Sequence, residues 1–278
     1  MVNFIYLAHS QDRYRRQTVF SVLSLLEYLQ KSDLDHRVIV YTDKPAFFSP
    51  LRVETVLLEA NQITEWTEKI DYIHRAKICL ALDTASRFSG RLLTLDSDNC
   101  FISDPTEFLS TWSEDTVIMD KLEYLLGKPA DLVGKKYKRF FKKNTFLGDE
   151  NCQYEVTMQQ ECWNSGVLGL PESARSFLPH SLAVCDNLHT RFRKHISEQL
   201  ATSIVMRKHF KIVSFRKYTY HWFGYGQAIN HIINDVLATY PKGNLDDWIE
   251  AVSGVKQAVL QAPLNRDKMP WYKRWLSK

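Results

Sequence analysis

The stretch Leu92-Leu93-Thr94-Leu95-Asp96-Ser97-Asp98-Asn99 decides how this chain folds, because a short apolar strand runs straight into two carboxylates separated by one residue. Side chains alternate across a strand, so Asp96 and Asp98 share one face. Two acids crowded at the end of a buried strand repel each other unless a cation lies between them, and hard carboxylate oxygens suit Mg²⁺ or Mn²⁺. The stretch therefore predicts a divalent-metal site at the carboxyl end of a strand.

Upstream of it, apolar runs and helical periods alternate. A strand over residues 3–8 precedes a helix from Arg16 to Leu29, then a strand from Arg37 to Thr42 closed by Asp43-Lys44-Pro45, then a helix from Asp71 to Thr84. Such alternation predicts an α/β protein with a Rossmann-like, mostly parallel sheet flanked by helices. Ligands of open α/β sheets bind beyond the carboxyl ends of strands, where both His9-Ser10 and Asp96-Asp98 fall. Downstream, the pattern loosens from Leu122 to Gln160 around the basic run Gly134 to Lys143, which has the look of an insertion. One strand is expected from Cys162 to Leu170 with a polar entrance at Asn164-Ser165-Gly166, followed by helices over 172–209 and a strand from Ile212 to Phe215. A last amphipathic helix, Asp246 to Leu260, precedes an aromatic and basic tail. No Gly/Ser linker divides the chain. The expected organisation is a single domain over 1–262, with a nucleotide-binding half (1–120), the basic insertion (121–160) and an acceptor and metal half (161–262), and then an amphipathic tail over 263–278.

Composition narrows the function classes. Hydrophobic residues make up 45% of 278, enough for a full core, and 10 Gly with 9 Pro argue against disorder. No internal period points to a solenoid. A formal charge of +4 is too small to call for a nucleic-acid partner. The five cysteines are odd in number and never form C-x-x-C, so neither a disulfide framework nor a zinc knuckle is expected, and a reducing cytoplasm fits. The N-terminus lacks the basic, apolar and cleavage regions of a signal peptide, and no apolar run reaches the length of a membrane span. The tail, with Trp271, Tyr272 and Trp275 among cations, and the basic run Lys135 to Lys143 suit peripheral contact with an anionic cytoplasmic membrane face.

Together with Asp104-Pro105 downstream, Leu95-Asp96-Ser97-Asp98 resembles the D-x-D element of A-type glycosyltransferases, in which the acids hold a cation on a nucleotide diphosphate. Three further elements resemble the retaining glycosyltransferases of family 8, in a distant branch. Asn164-Ser165-Gly166-Val167 is similar to the family's donor-sugar element, Glu198-Gln199 to its Asp-Gln pair near the anomeric carbon, and His221-Trp222-Phe223-Gly224 to its H-x-x-G metal element. The resemblance covers roughly residues 1–230. It implies Asp96, Asp98 and His221 as metal ligands, Gln199, Glu198 and Asn164 as catalytic residues, and Ala8, Ser10, Tyr14, Arg75, Lys77, Asp96, Gly224 and Gln227 around the donor. Two departures stand out. The family's diphosphate-gripping lysine after H-x-x-G is replaced by Gln227, leaving Arg216, Lys217 or the Arg13, Arg15 and Arg16 group as substitutes, and Glu198 is one methylene longer than the usual Asp.

What the resemblance implies is transfer of a sugar from a UDP-sugar to a hydroxyl of a glycan or glycolipid, with Mn²⁺ or Mg²⁺ stabilising the leaving diphosphate and with retention. Two other readings share some of these residues. A haloacid dehalogenase-type phosphatase also places D-x-D after a strand, but near the chain start and followed by Thr or Val, where this chain has Asn99. A non-catalytic nucleotide-sugar-binding module of the same fold would account for the missing lysine.

Overall fold

The computed structural model describes residues 1–150 and 152–268, the last five of these by backbone alone. In chain order its elements are β1 (Val2–Ala8), α1 (Asp12–Leu29), β2 (His36–Thr42), β3 (Glu54–Leu57), α2 (Ala60–Thr67), α3 (Arg75–Arg87), β4 (Arg91–Leu95), β5 (Asn99–Phe101), α4 (Thr106–Ser110), β6 (Thr116–Met119), β7 (Leu122–Leu125) and α5 (Leu132–Phe141). Then follow β8 (Phe146–Gly148), β9 (Gln153–Glu155), β10 (Glu161–Trp163), β11 (Val167–Leu170), α6 (Leu178–Arg191), α7 (Ser197–His209), β12 (Lys211–Ser214), β13 (Thr219–His221), α8 (Gly226–Val236) and α9 (Leu245–Lys268).

Seven strands form one sheet in the order β12-β6-β11-β4-β1-β2-β3. The pairs β1–β2, β2–β3 and β6–β12 are parallel and β6–β11 is antiparallel, so the sheet is mostly parallel, as the alternation of elements predicts. Small antiparallel pairs join β5 to β13, β7 to β10 and β8 to β9.

The chain forms two compact units: one of Met1, Glu59–Thr94 and Trp112–Phe215, the other of Val2–Leu58, Leu95–Thr111 and the chain from Arg216 on. In the second unit, β1 is buried except at the half-buried Leu7 and Phe4 meets Phe101 edge to face at 6.2 Å, while α1 turns Val19, Phe20, Val22 and Leu23 inward. In the first, Gly169 on β11 is required by close packing. A Cβ there would stand 2.8 Å from Ile118 Cβ and 2.9 Å from Leu93 Cδ1, closer than real contacts allow.

Element boundaries differ from expectation where side-chain chemistry overrides apolar periodicity. Helix α1 begins at Asp12 rather than Arg16, because an acid suits the first helical turn and Arg15 pairs with it one turn on at 2.6 Å. Helix α3 begins at Arg75 rather than Asp71, because Asp71 takes φ +52°, a left-handed conformation that ends the preceding 3₁₀ turn. The basic run is not loose. It forms α5, capped by the Asp131 carboxylate accepting from Gly134 N–H at 2.6 Å, with Tyr137 and Phe141 buried on one face. The strand expected over Cys162 to Leu170 is two, β10 and β11, split at Asn164-Ser165-Gly166. No helix among the described residues is long and apolar enough to cross a membrane. All five cysteines are free. The aromatic tail from Met269 lies outside the described residues.

Candidate functional site

Strand β4 ends at Leu95, and Asp96-Ser97-Asp98 form a turn into β5. The two carboxylates converge through that turn and not through strand alternation. Strand β13 then lies antiparallel to β5 with His221 opposite Asn99, and Trp222 N–H donates to the Asp98 carbonyl at 3.1 Å. This pairing brings His221 Nε2 to 3.3 Å from Asp98 Oδ1 and 3.8 Å from Asp96 Oδ2. One ligand atom from each of the three lies within 4.8 Å of the others. The segment is anchored by Trp222, fully buried and edge-on to Phe20 at 6.2 Å, and it leaves through Gly224 at φ +85°, a conformation that side chains resist. Two carboxylates and an imidazole, the acids about a quarter exposed, are a donor set that fits an oxygen-preferring divalent ion such as Mn²⁺ or Mg²⁺.

The same unit carries the carboxyl end of β1. Ala8 is buried, and Ser10 takes φ +66° while its N–H points to Asp43 Oδ2 at 3.3 Å. Tyr14 receives a hydrogen bond from Arg13 Nη2 at 2.7 Å, with that guanidinium 4.6 Å from the ring centre. Among the cations expected to replace a phosphate lysine, Arg15 is buried and committed to Asp43 at 2.8 Å and Asp12 at 2.6 Å, and Arg16 bonds the Leu237 carbonyl at 3.2 Å. Arg216 reaches the His221 carbonyl at 3.4 Å and stacks on Tyr220, and Lys217 lies over the Tyr218 ring at 5.4 Å. Gln227 stands exposed in the first turn of α8.

Burial pushes the His9 imidazole below its usual range, against the pull of the Asp43 charge. Burial also pushes the Asp43 carboxyl up, but hydrogen bonds from Arg15 and from Ser10 N–H outweigh it and hold the group below the ordinary carboxylate range. The folded chain then binds fewer protons at Asp43 than the unfolded one. The stabilisation from this group is present above about pH 4 and is lost as pH falls through its folded value. Asp43→Asn should therefore lower the urea midpoint at pH 7 and flatten its decline as the pH falls below about 4. An acid profile identical to the parent's would show that the Arg15–Asp43 pair does not stabilise the fold.

The other unit holds a second polar cluster at the start of α7. Glu198 is buried, with Oε1 2.5 Å from Ser165 Oγ and 3.6 Å from Lys77 Nζ. The Tyr72 hydroxyl lies 3.2 Å from Glu198 Oε2 and 2.7 Å from the His195 carbonyl, and its ring stacks on His189 at 3.9 Å. Burial, reinforced by the Glu198 charge, pushes the Tyr72 phenol up, so it stays a donor. Arg75 is committed to Asp186 at 2.7 and 3.1 Å and to the Trp66 carbonyl at 2.9 Å. Gln199 Nε2 and Asn164 Nδ2 both donate to Glu123, at 2.8 and 3.0 Å. Of the residues singled out from sequence, Asp96, Asp98 and His221 thus form one cluster, Ala8, Ser10 and Tyr14 share their unit, and Asn164, Glu198, Gln199 and Lys77 group in the other. Glu123, Tyr72, Ser165 and Asp43 are polar partners that the sequence did not single out. Only Ser165, inside the Asn-Ser-Gly element, carried a local signal.

No family model matches the chain, and no curated protein sequence matches it. Among solved structures, the galactosyltransferase LgtC in complex with donor and acceptor sugar analogs aligns with a TM-score of 0.51 and 12% identity over 76% of this chain and 73% of LgtC. The chain has the A-type glycosyltransferase fold. Mouse xyloside xylosyltransferase 1, in its apo form, aligns at TM-score 0.48 and 12% identity over 77% of this chain and 85% of its own. The glycosyltransferase GlyE of Streptococcus pneumoniae TIGR4 aligns at 0.44 and 10% identity over 77% of this chain and 46% of its own. Within the A-type glycosyltransferase fold, the Asp-Asp-His cluster follows a strand of the central sheet, where open α/β sheets place their ligands.

Proposed function

We propose that this chain is a metal-dependent glycosyltransferase that moves a sugar from a nucleoside diphosphate sugar, a UDP-sugar, to a hydroxyl of a glycan or glycolipid, with retention. The observation that carries this reading is the convergence of Asp96, Asp98 and His221 at the end of β4 in a chain of this fold. A bound Mn²⁺ or Mg²⁺ would supply positive charge to the leaving diphosphate. The turn at Ala8 to Ser10 and the Tyr14 ring receive the base, and Gly224 and Gln227 flank the diphosphate. At the sugar, Gln199 offers an amide oxygen to a carbon that becomes electron-poor as the glycosidic bond breaks. Glu198 adds negative charge held in place by Ser165 and Tyr72. Lys77 and Arg75 are the candidates for a cation that reaches the donor, Lys77 from beside Glu198 and Arg75 from its pair with Asp186.

The setting we infer is the cytoplasm, with peripheral contact to anionic lipid through the basic face of α5 and the tail over 263–278. The deciding experiment is a panel of nucleotide sugars with and without Mn²⁺, reading nucleotide release and transfer to glycan acceptors. Mn²⁺-dependent release from a UDP-sugar is the expected result. UDP binding with no release from any donor would instead identify a binding module, and hydrolysis of simple phosphomonoesters would identify a phosphatase.

A further inference from the structure

Glu123 sits where the ladder between β7 and β10 slips. Tyr124 is opposite Cys162 and Leu122 is opposite Trp163, so Glu123 is the extra residue of a β-bulge. Bulges commonly re-aim a side chain beside a functional site. Here the carboxylate is aimed at two amides at once. Gln199 Nε2 donates to its Oε2 at 2.8 Å and Asn164 Nδ2 to its Oε1 at 3.0 Å.

The orientation of both amides follows from chemistry. An ionised carboxylate only accepts, so each amide must present nitrogen to Glu123. Asn164 is fixed a second time, because its Oδ1 accepts Gly166 N–H at 2.8 Å, and its main chain is tied on both sides through Lys121 O and Asp120 N–H. Gln199 has no such second tie. Among the described residues nothing donates to its Oε1, so Glu123 alone determines which end of that amide is turned away and presented.

We propose that Glu123 is a positioning residue that locks the Gln199 amide with its oxygen outward. The inference rests on the reading of Gln199 as the group that meets the sugar, and it adds the device that makes the group an acceptor of positive charge rather than a donor of hydrogen bonds. Glu123→Gln isolates the effect. The glutamine has one acceptor and one donor end. Asn164, held by Gly166, still needs an acceptor, so the new NH₂ faces Gln199 and forces its amide to reverse.

Side-chain ¹⁵N amide signals test this without any turnover, with Gln199→Ala and Asn164→Ala assigning the two resonances. Protected Gln199 and Asn164 NH₂ protons are expected in the parent. In E123Q, Asn164 should remain protected while Gln199 exchanges at a solvent-like rate. Turnover gives the second readout: E123Q should lower kcat by about tenfold with less than about a twofold change in donor KM, and should add less than about twofold in a Gln199→Ala background. Fast Gln199 NH₂ exchange in the parent, continued protection in E123Q, or losses that multiply in the double variant would each overturn the proposal. A parent without transferase activity would end the sugar-transfer reading and leave the amide signals to decide this one.

Discussion

Asp98→Asn should weaken Mn²⁺ binding at least about tenfold and cut Mn²⁺-dependent nucleotide release about a hundredfold at limiting metal, about 2.7 kcal/mol at the transition state. The side chain loses one of the two carboxylate charges in the three-residue cluster and keeps its size. The local backbone is expected to hold, because the bond that ties this turn to the His221 segment uses the main-chain oxygen of Asp98, accepting from Trp222 N–H at 3.1 Å. Without metal the variant should be at least as stable as the parent, since it removes a like charge from beside Asp96. Calorimetric or spin-resonance titration of Mn²⁺ reads the first effect, and thermal unfolding in chelator reads the last. Parent-like Mn²⁺ affinity would mean that the cluster is not a metal centre.

Trp222→Ala should destabilise the protein by about 3–5 kcal/mol, the range for deleting a large aromatic side chain from a core. Trp222 is fully buried, and its edge-to-face contact with Phe20 anchors the β13 segment to α1. Against a typical stability of about 5–15 kcal/mol this is a large share. Trp222→Phe should cost much less. Among the described residues the buried indole N–H has no hydrogen-bond partner, so the phenyl ring keeps most of the packing and loses no bond found there. Urea unfolding of both variants separates packing from polarity: equal losses in the two would show that the indole nitrogen, not the apolar bulk, holds the segment.

The alternation of apolar runs with helical periods already implied the sheet and its helices, because strand and helix periodicities are local properties of ten or fifteen residues. The boundaries that moved did so for reasons that apolar pattern does not encode: the Asp12–Arg15 pair extends α1, the left-handed Asp71 delays α3, and the Asp131 cap turns a basic run into α5. Gln199 and Asn164 were legible only through the resemblance of Glu198-Gln199 and Asn164-Ser165-Gly166-Val167 to family elements, and Glu123 was not legible at all. An acid in a short strand carries no mark of the bulge that re-aims it.

By itself the sequence determined that this is an α/β chain with two acids at the end of an apolar strand, together with the order of the polar elements that follow. The family resemblance already implied His221 beside the two acids; only the tertiary structure decided that Asp96 and Asp98 converge through a turn, that the β5–β13 pairing is what carries His221 to them, and that Glu123 holds Gln199 and Asn164. Hydrophobic patterning is written in neighbouring residues, but each of these meetings depends on pairing between distant strands: β5 with β13 for the histidine, and β7 with β10 for the glutamate. A change of register by one residue would turn either side chain to the opposite face, and register is set by packing within each unit, around the buried Trp222 in the case of β13.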